Sequence, residues 1–165
     1  MARDALHLCL RPTSLPPVSD AIPPGAVCRP LSEWDATDLG ELMWAAYRGT
    51  IDDEYADEQD AIADAESTLA GRWGPLIWDA SLTAAFEGRL VAAVIVVNDI
   101  VHDSAPLLAF ALTVPAWQRR GLAGWLIRLS VSRLADLGES ELHLAVTRGN
   151  PALALYERIG FRVVE

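Results

Sequence analysis

Hydrophobic positions along the chain fall into two rhythms. Leu107, Leu108, Phe110, Ala111, Leu112 and Val114 form a short apolar run of the kind that makes a buried strand, and Pro115, which has no N–H for a ladder, ends it. From Leu122 the spacing turns helical, with Leu122, Leu126 and Leu129 at i, i+4 and i+7; this predicts a helix from Gln118 to about Leu137, stopped by Gly138. Leu39, Leu42, Met43, Ala46 and Tyr47 make an earlier helical stripe reaching about Arg48, behind Ser32 and Asp35 at the two positions of a capping box. Ile62, Ala65 and Leu69 mark another helix, closed by the turn residues of Gly71 to Pro75. Strands are expected at Ala26–Leu31, Ser81–Phe86, Arg89–Val97 and Glu141–Val146, with Glu87-Gly88 as a hairpin turn. Asn150-Pro151 reads as a helix start, Gly160 as its end, and Phe161–Val164 as a last strand.

The chain has 165 residues, enough for one domain with a proper core. Residues 1–25, with Pro12, Pro16, Pro17, Pro23 and Pro24, are expected to be an irregular extension, and residues 26–165 the domain. Leu6, Leu8 and Leu10 alternate with His7 and Cys9, so a short strand is an alternative there. The longest apolar run, Leu90–Val97, is too short to span a bilayer, and no signal peptide is read; the cytoplasm is the expected compartment. Cys9 and Cys28 are read as free thiols. The formal charge of −10 argues against a nucleic-acid partner and suits a cationic one. All 13 basic residues are arginine, a bias that need have no functional meaning.

The strand-to-helix junction carries the chemistry. The first amides of a helix have no intrahelical acceptor and lie at the positive end of its dipole, so an anion gains several donors there at once. Gly121 lets a phosphate approach the backbone, Ala123 and Gly124 keep the approach clear, and Arg119 and Arg120 can add charge. Gln118-x-x-Gly121-x-Ala123 resembles the Q/R-x-x-G-x-G/A pyrophosphate loop of the GNAT superfamily of N-acetyltransferases. A second resemblance to that family follows at Leu142–Val146 and Asn150–Phe161, with Asn150, Ala152 or Ala154, Tyr156, Gly160 and Phe161. The likeness spans about Leu31 to Phe161 and is strongest from Leu107 onward.

The resemblance implies an α/β fold (an α+β mixed sheet) of the acyl-CoA N-acyltransferase type, its central mixed sheet flanked by helices. It implies acetyl-CoA as the cofactor and direct acetyl transfer to a primary amine of a small molecule or peptide. The arm of the cofactor would lie between the strands Leu107–Val114 and Glu141–Val146. Backbone groups of Leu112, Thr113 and Val114 would hold it and polarise the thioester, amides of Gln118, Arg119, Arg120, Gly121, Leu122, Ala123 and Gly124 would bind the pyrophosphate, and the Asn150 side chain would meet the pantetheine or adenosine. Tyr156 matches the family tyrosine that protonates the leaving thiolate.

Further points bear on the site. The strand Leu107–Val114 holds no carboxylate, so a base would act through water from Glu87, Asp99, His102 or Asp103. No metal site is expected, because the three histidines show no ligand spacing. The chain also stops before the family's final hairpin strand, which Leu6–Leu10 or a second subunit of a homodimer could replace. The acidic run Ile51–Glu66, with eight carboxylates, is either a solvated face or the border of a site for a cationic acceptor. The rival to an enzyme is a catalytically silent acyl-CoA-binding or regulatory module of the same fold.

Overall fold

The computed structural model describes residues 5–11, 15, 18, 21–100 and 105–164. In chain order the elements are β1 (Ala5–Leu10), β2 (Val27–Pro30), α1 (Ala36–Tyr47), α2 (Glu58–Leu69), β3 (Leu82–Phe86), β4 (Arg89–Asn98), β5 (Pro106–Thr113), α3 (Leu122–Asp136), β6 (Leu142–Thr147), α4 (Ala152–Ile159) and β7 (Arg162–Val163). The seven strands form one mixed sheet in the order β2-β3-β4-β5-β6-β1-β7. Among the described residues only β5 and β6 run parallel.

β4 is apolar on both faces because both faces are covered. Ala93, Ile95 and Val97 pack with Leu39, Leu42 and Met43 of α1 and Ala61 and Ala65 of α2. Val94 and Val96 join the opposite core with Leu126, Ile127 and Leu134 of α3 and Tyr156 and Ile159 of α4. Gly40 lets α1 and α2 touch, since a Cβ there would collide with the backbone of Ile62. The expected capping box forms: Ser32 Oγ accepts from Trp34 N–H, and Ser32 N–H donates to Asp35 Oδ2 at 2.7 Å. The β3–β4 turn has both Glu87 and Gly88 at positive φ, 49° and 78°. Paired left-handed residues are the geometry that matches hairpin twist.

Two expectations need revision. The helix after β5 starts at Leu122, not Gln118, because Pro115–Trp117 form a separate 3-10 turn. The N-terminal segment is not irregular throughout: residues 5–10 are a strand, paired antiparallel with all six residues of β6 and, on its other edge, with β7. Leu8 and Leu10 are fully buried, and that burial outweighs the nearby prolines. Of the two candidates for covering that edge of the sheet, the chain's own N-terminal segment occupies it.

Candidate active site

The parallel strands β5 and β6 pair only at Leu107 and His143 and then separate. The separation begins at a bulge in β5: Leu108 faces Val96 and Phe110 faces Ile95, leaving Ala109 without an opposite residue on β4. Ala109 and Phe110 consequently both pack toward α1 and α2. An extra residue of this kind bends the strand and turns it from its neighbour. A groove of about 800 Å³ opens into the gap, walled by β5, β6, the starts of α3 and α4, and the segment after α1.

At one end lies the turn into α3. Gly121 is its N-cap with φ 78°, and a Cβ there would meet nothing within 4 Å. The glycine is thus required by backbone conformation and not by crowding. Arg119 also has a positive φ, 61°, so two left-handed residues in three positions coil the chain into the helix. The first intrahelical bond is Trp125 N–H to Gly121 O, which leaves the amides of Leu122, Ala123 and Gly124 without an intrahelical acceptor. All three residues line the groove, with Gln118, Arg119 and Gly121.

Thr113 also lines it, and its hydroxyl is buried without a partner among the described residues. Gln118 Nε2 donates to Thr113 O at 3.2 Å. Leu112, Val114 and Arg120 are not among the residues that line the groove. Leu112 is turned into the α1–α2 core, the Val114 amide donates to Val91 O at 3.0 Å, and the Arg120 guanidinium stacks on Trp117 at 4.7 Å.

At the middle stands Tyr156, nearly buried and edge-on to Phe161. Burial pushes its phenol up to about 12, with the Asp52 carboxylate adding to the effect. Asn150 lines the groove, but both ends of its side chain are in use. Its Oδ1 accepts from Ala152 N–H at 2.8 Å, capping α4, and its Nδ2 donates to Asp52 Oδ2 at 2.5 Å. Asp52 Oδ1 accepts from Thr147 Oγ1 at 2.8 Å.

The other end is aromatic and acidic. Tyr47, Tyr55, Trp73 and Phe110 border it with Glu54 and Asp64. Tyr47 lies 6.2 Å from Tyr55 and 6.5 Å from Phe110, and Trp73 stands edge-on to Phe110 at 6.4 Å, between ring centroids. Tyr55 Oη donates to Asp64 Oδ2 at 2.7 Å; burial first, and then this bond, raise the Tyr55 phenol well above its ordinary range. Part of the acidic run therefore borders the groove, Asp64 half-buried and Glu54 exposed. The proposed bases fare differently: neither Glu87 nor Asp99 lines the groove, and His102 and Asp103 lie outside the described residues. Sequence reading also missed the side-chain ties of Asp52, for which residues 95 and 98 positions away leave no local signal.

A split parallel pair beside an open helix start defines the acyl-CoA N-acyltransferase architecture, and the comparisons agree. Residues 86–165 match the family model described as FR47-like protein. Over 97 residues the chain is 36% identical to the [Ribosomal protein bS18]-alanine N-acetyltransferase of Salmonella typhimurium, covering 58% of this chain and 62% of that one. The crystal structure of a GCN5-related N-acetyltransferase from Sphaerobacter thermophilus superposes with a TM-score of 0.74 at 18% identity, over 98% of this chain and 49% of the other. A GNAT family acetyltransferase from Brucella melitensis, solved in complex with acetyl-CoA, gives 0.63 at 20% identity, over 84% and 86%. The fold is thus that of these acetyltransferase structures, and the C-terminal part of the sequence resembles the FR47-like family. It spans less than two thirds of the curated relatives it matches. Among the described residues no helix is long and apolar enough to cross a membrane.

Proposed function

We propose that the protein moves the acetyl group of acetyl-CoA to an amine of a positively charged acceptor. The observation that carries this reading is that one groove joins the open amides of α3, the gap between β5 and β6, and Tyr156. The relatives named as N-acetyltransferases, and the neighbour solved with acetyl-CoA, support the same cosubstrate. The groove fits it physically. Amides of Leu122, Ala123 and Gly124 would hold the pyrophosphate, and the unpaired main chain of β5 and β6 would bond an amide-bearing arm. The partnerless Thr113 hydroxyl on the groove wall suits a polar ligand.

The cosubstrate supplies an activated thioester; the chain supplies position and protons. The acceptor nitrogen attacks the carbonyl carbon, the C–S bond breaks, and Tyr156 gives its phenolic proton to the departing sulfur. An acid held up to about 12 remains protonated throughout the neutral range, which supports turnover over a silent binding module. The acceptor amine must first lose a proton, at a cost of about 4.6 kcal/mol at pH 7 for a lysine-like group. Glu54 at the groove's acidic end is the group we assign to draw it away, since both oxygens of Asp64 are held by Tyr55 and Arg72, and the surrounding rings favour a cation by their faces. The free thiols Cys9 and Cys28 suit a reducing, cytoplasmic setting.

The test is calorimetry with acetyl-CoA for the parent and Gly121→Glu, followed by thiol release over a panel of cationic and neutral amines. Binding lost in the variant, with turnover favouring cations, is the expected result. Absence of binding by the parent would overturn the reading.

A further inference from the structure

Away from the groove, three side chains from two strands meet on one point. Cys9 of β1 lies directly opposite His143 of β6 in the antiparallel register. Glu141, immediately before β6, brings its carboxylate to the same ring. Cys9 Sγ is 3.8 Å from His143 Nε2, Glu141 Oε2 is 3.1 Å from that same nitrogen, and the three donor atoms all lie within 4.8 Å of one another. We propose that Cys9, His143 and Glu141 form a site for a thiophilic divalent cation of the Zn²⁺ class, bridging β1 to β6.

The arrangement separates this reading from a nucleophilic triad. In a triad the thiol and the carboxylate engage opposite nitrogens of the ring, so that one orients it while the other gives up a proton. Here both converge on Nε2, which is how ligands gather around an ion. Tetrahedral Zn²⁺ sites place sulfur and nitrogen ligands about 3.6 Å apart, and nitrogen and oxygen about 3.4 Å, given their usual bond lengths. The observed spacings need only small side-chain rotations to meet both. One sulfur, one imidazole and one carboxylate are a donor set for zinc and not for magnesium or calcium.

The remaining features are consistent with an ion. Arg11 Nε lies 3.6 Å from Glu141 Oε1, so it engages the oxygen that does not face His143. His143 and Glu141 retain 33% and 39% of their side-chain exposure, which gives an ion a way in and leaves its fourth position to water. On binding, the Cys9 thiol proton leaves to solvent and the sulfur lone pair forms the metal bond. The ion would join the N-terminal strand to the strand whose next residues, Leu144–Thr147, wall the groove. It would thereby clamp β1 without entering the acetyl-transfer chemistry.

Titration of the purified protein with Co²⁺, and then with competing Zn²⁺, tests this. One equivalent of Co²⁺ should give a sulfur-to-cobalt charge-transfer band and the strong visible bands of four-coordination. Zn²⁺ should abolish both and raise the thermal midpoint. Cys9→Ser should lose the charge-transfer band, while Cys28→Ser, on the distant strand β2, should keep it. His143→Gln, at a half-exposed position, should weaken binding by more than the ~10- to 100-fold typical of outer-shell changes, and it serves independently should Cys9→Ser not fold. No such band in the parent, an undiminished band in Cys9→Ser, or unaltered affinity in His143→Gln would overturn the proposal.

Discussion

Asp52 and Asn150 are joined carboxylate to carboxamide across the mouth of the groove, 98 residues apart in the chain. The same carboxylate holds Thr147 at the end of β6, so one residue of the segment after α1 ties together two walls of the site. Replacing Asp52 with Ala should destabilise the protein by about 1–3 kcal/mol, the usual cost of losing hydrogen bonds to a charged group. It should also bring the Tyr156 phenol down, since Asp52 is one of the two causes of its rise. Urea denaturation and ultraviolet titration of the phenol would check the two effects separately.

Tyr156→Phe should lower kcat by about 10²–10⁴-fold while leaving acetyl-CoA affinity nearly intact, if the phenol serves as the acid. Stability offers a second readout. A phenol raised in the folded state favours folding fully below its unfolded value near 10, and that contribution is lost as pH rises through about 12. Between those limits the parent should lose on the order of 2–3 kcal/mol that Tyr156→Phe does not lose. Denaturation curves at pH 9 and pH 11.5 for both proteins would reveal it.

Gly121→Ala should cost about 1 kcal/mol through its positive φ alone, because the added methyl meets nothing. Gly121→Asn, a residue that tolerates the left-handed region, should cost less. Thermal unfolding of the two variants distinguishes conformational strain from crowding.

Glu54→Gln should raise KM for a cationic acceptor about tenfold and leave KM for acetyl-CoA unchanged, since Glu54 borders the aromatic end of the groove and Asp64 is already paired with Arg72. The effect should shrink as salt is added. Steady-state kinetics with each substrate varied in turn would measure it.

Asp35 provides an acid-side test. Arg29 donates to both its oxygens, at 2.8 and 2.6 Å, and this holds its carboxyl below the usual carboxylate range despite burial. Its contribution is therefore present above the unfolded value near 3.8 and disappears as pH falls through the lower folded value. Asp35→Ala should cost about 1–2 kcal/mol at pH 7, as for a lost helix cap, and the difference from the parent should narrow in acid.

The features legible in the sequence are those with local causes. The helix stripe ending near Arg48, the Ser32–Asp35 box, the Glu87-Gly88 turn and the Asn150 cap each depend on residues within a few positions. Gln118–Gly124 was legible because a tight turn and an open helix start need particular residues at fixed offsets. What escaped depends on pairing at long range. The alternation at Leu6–Leu10 made it a candidate for the C-terminal edge of the sheet, but nothing local decided between that and an irregular extension, and Arg120 shows no sign that Trp117 will take its guanidinium from the groove. The extent of the strand gap was also hidden, since the position of a bulge is decided by the partner strand.

The place of β1 also bears on how the chain reaches its structure. Cys9 meets His143 across 134 positions, so β1 has no partner in this sheet until β6 and β7 have followed it. Loop closure over such a span must precede any reward from contact, which slows folding. Until then a nascent chain carries Leu8 and Leu10 uncovered and the edges of β6 and β7 unsatisfied, the exposed surface that draws chaperones and invites exchange between copies. Docking of the N-terminal strand is thus the expected slow step of folding, and the groove wall formed by β6 becomes firm only when that step is complete.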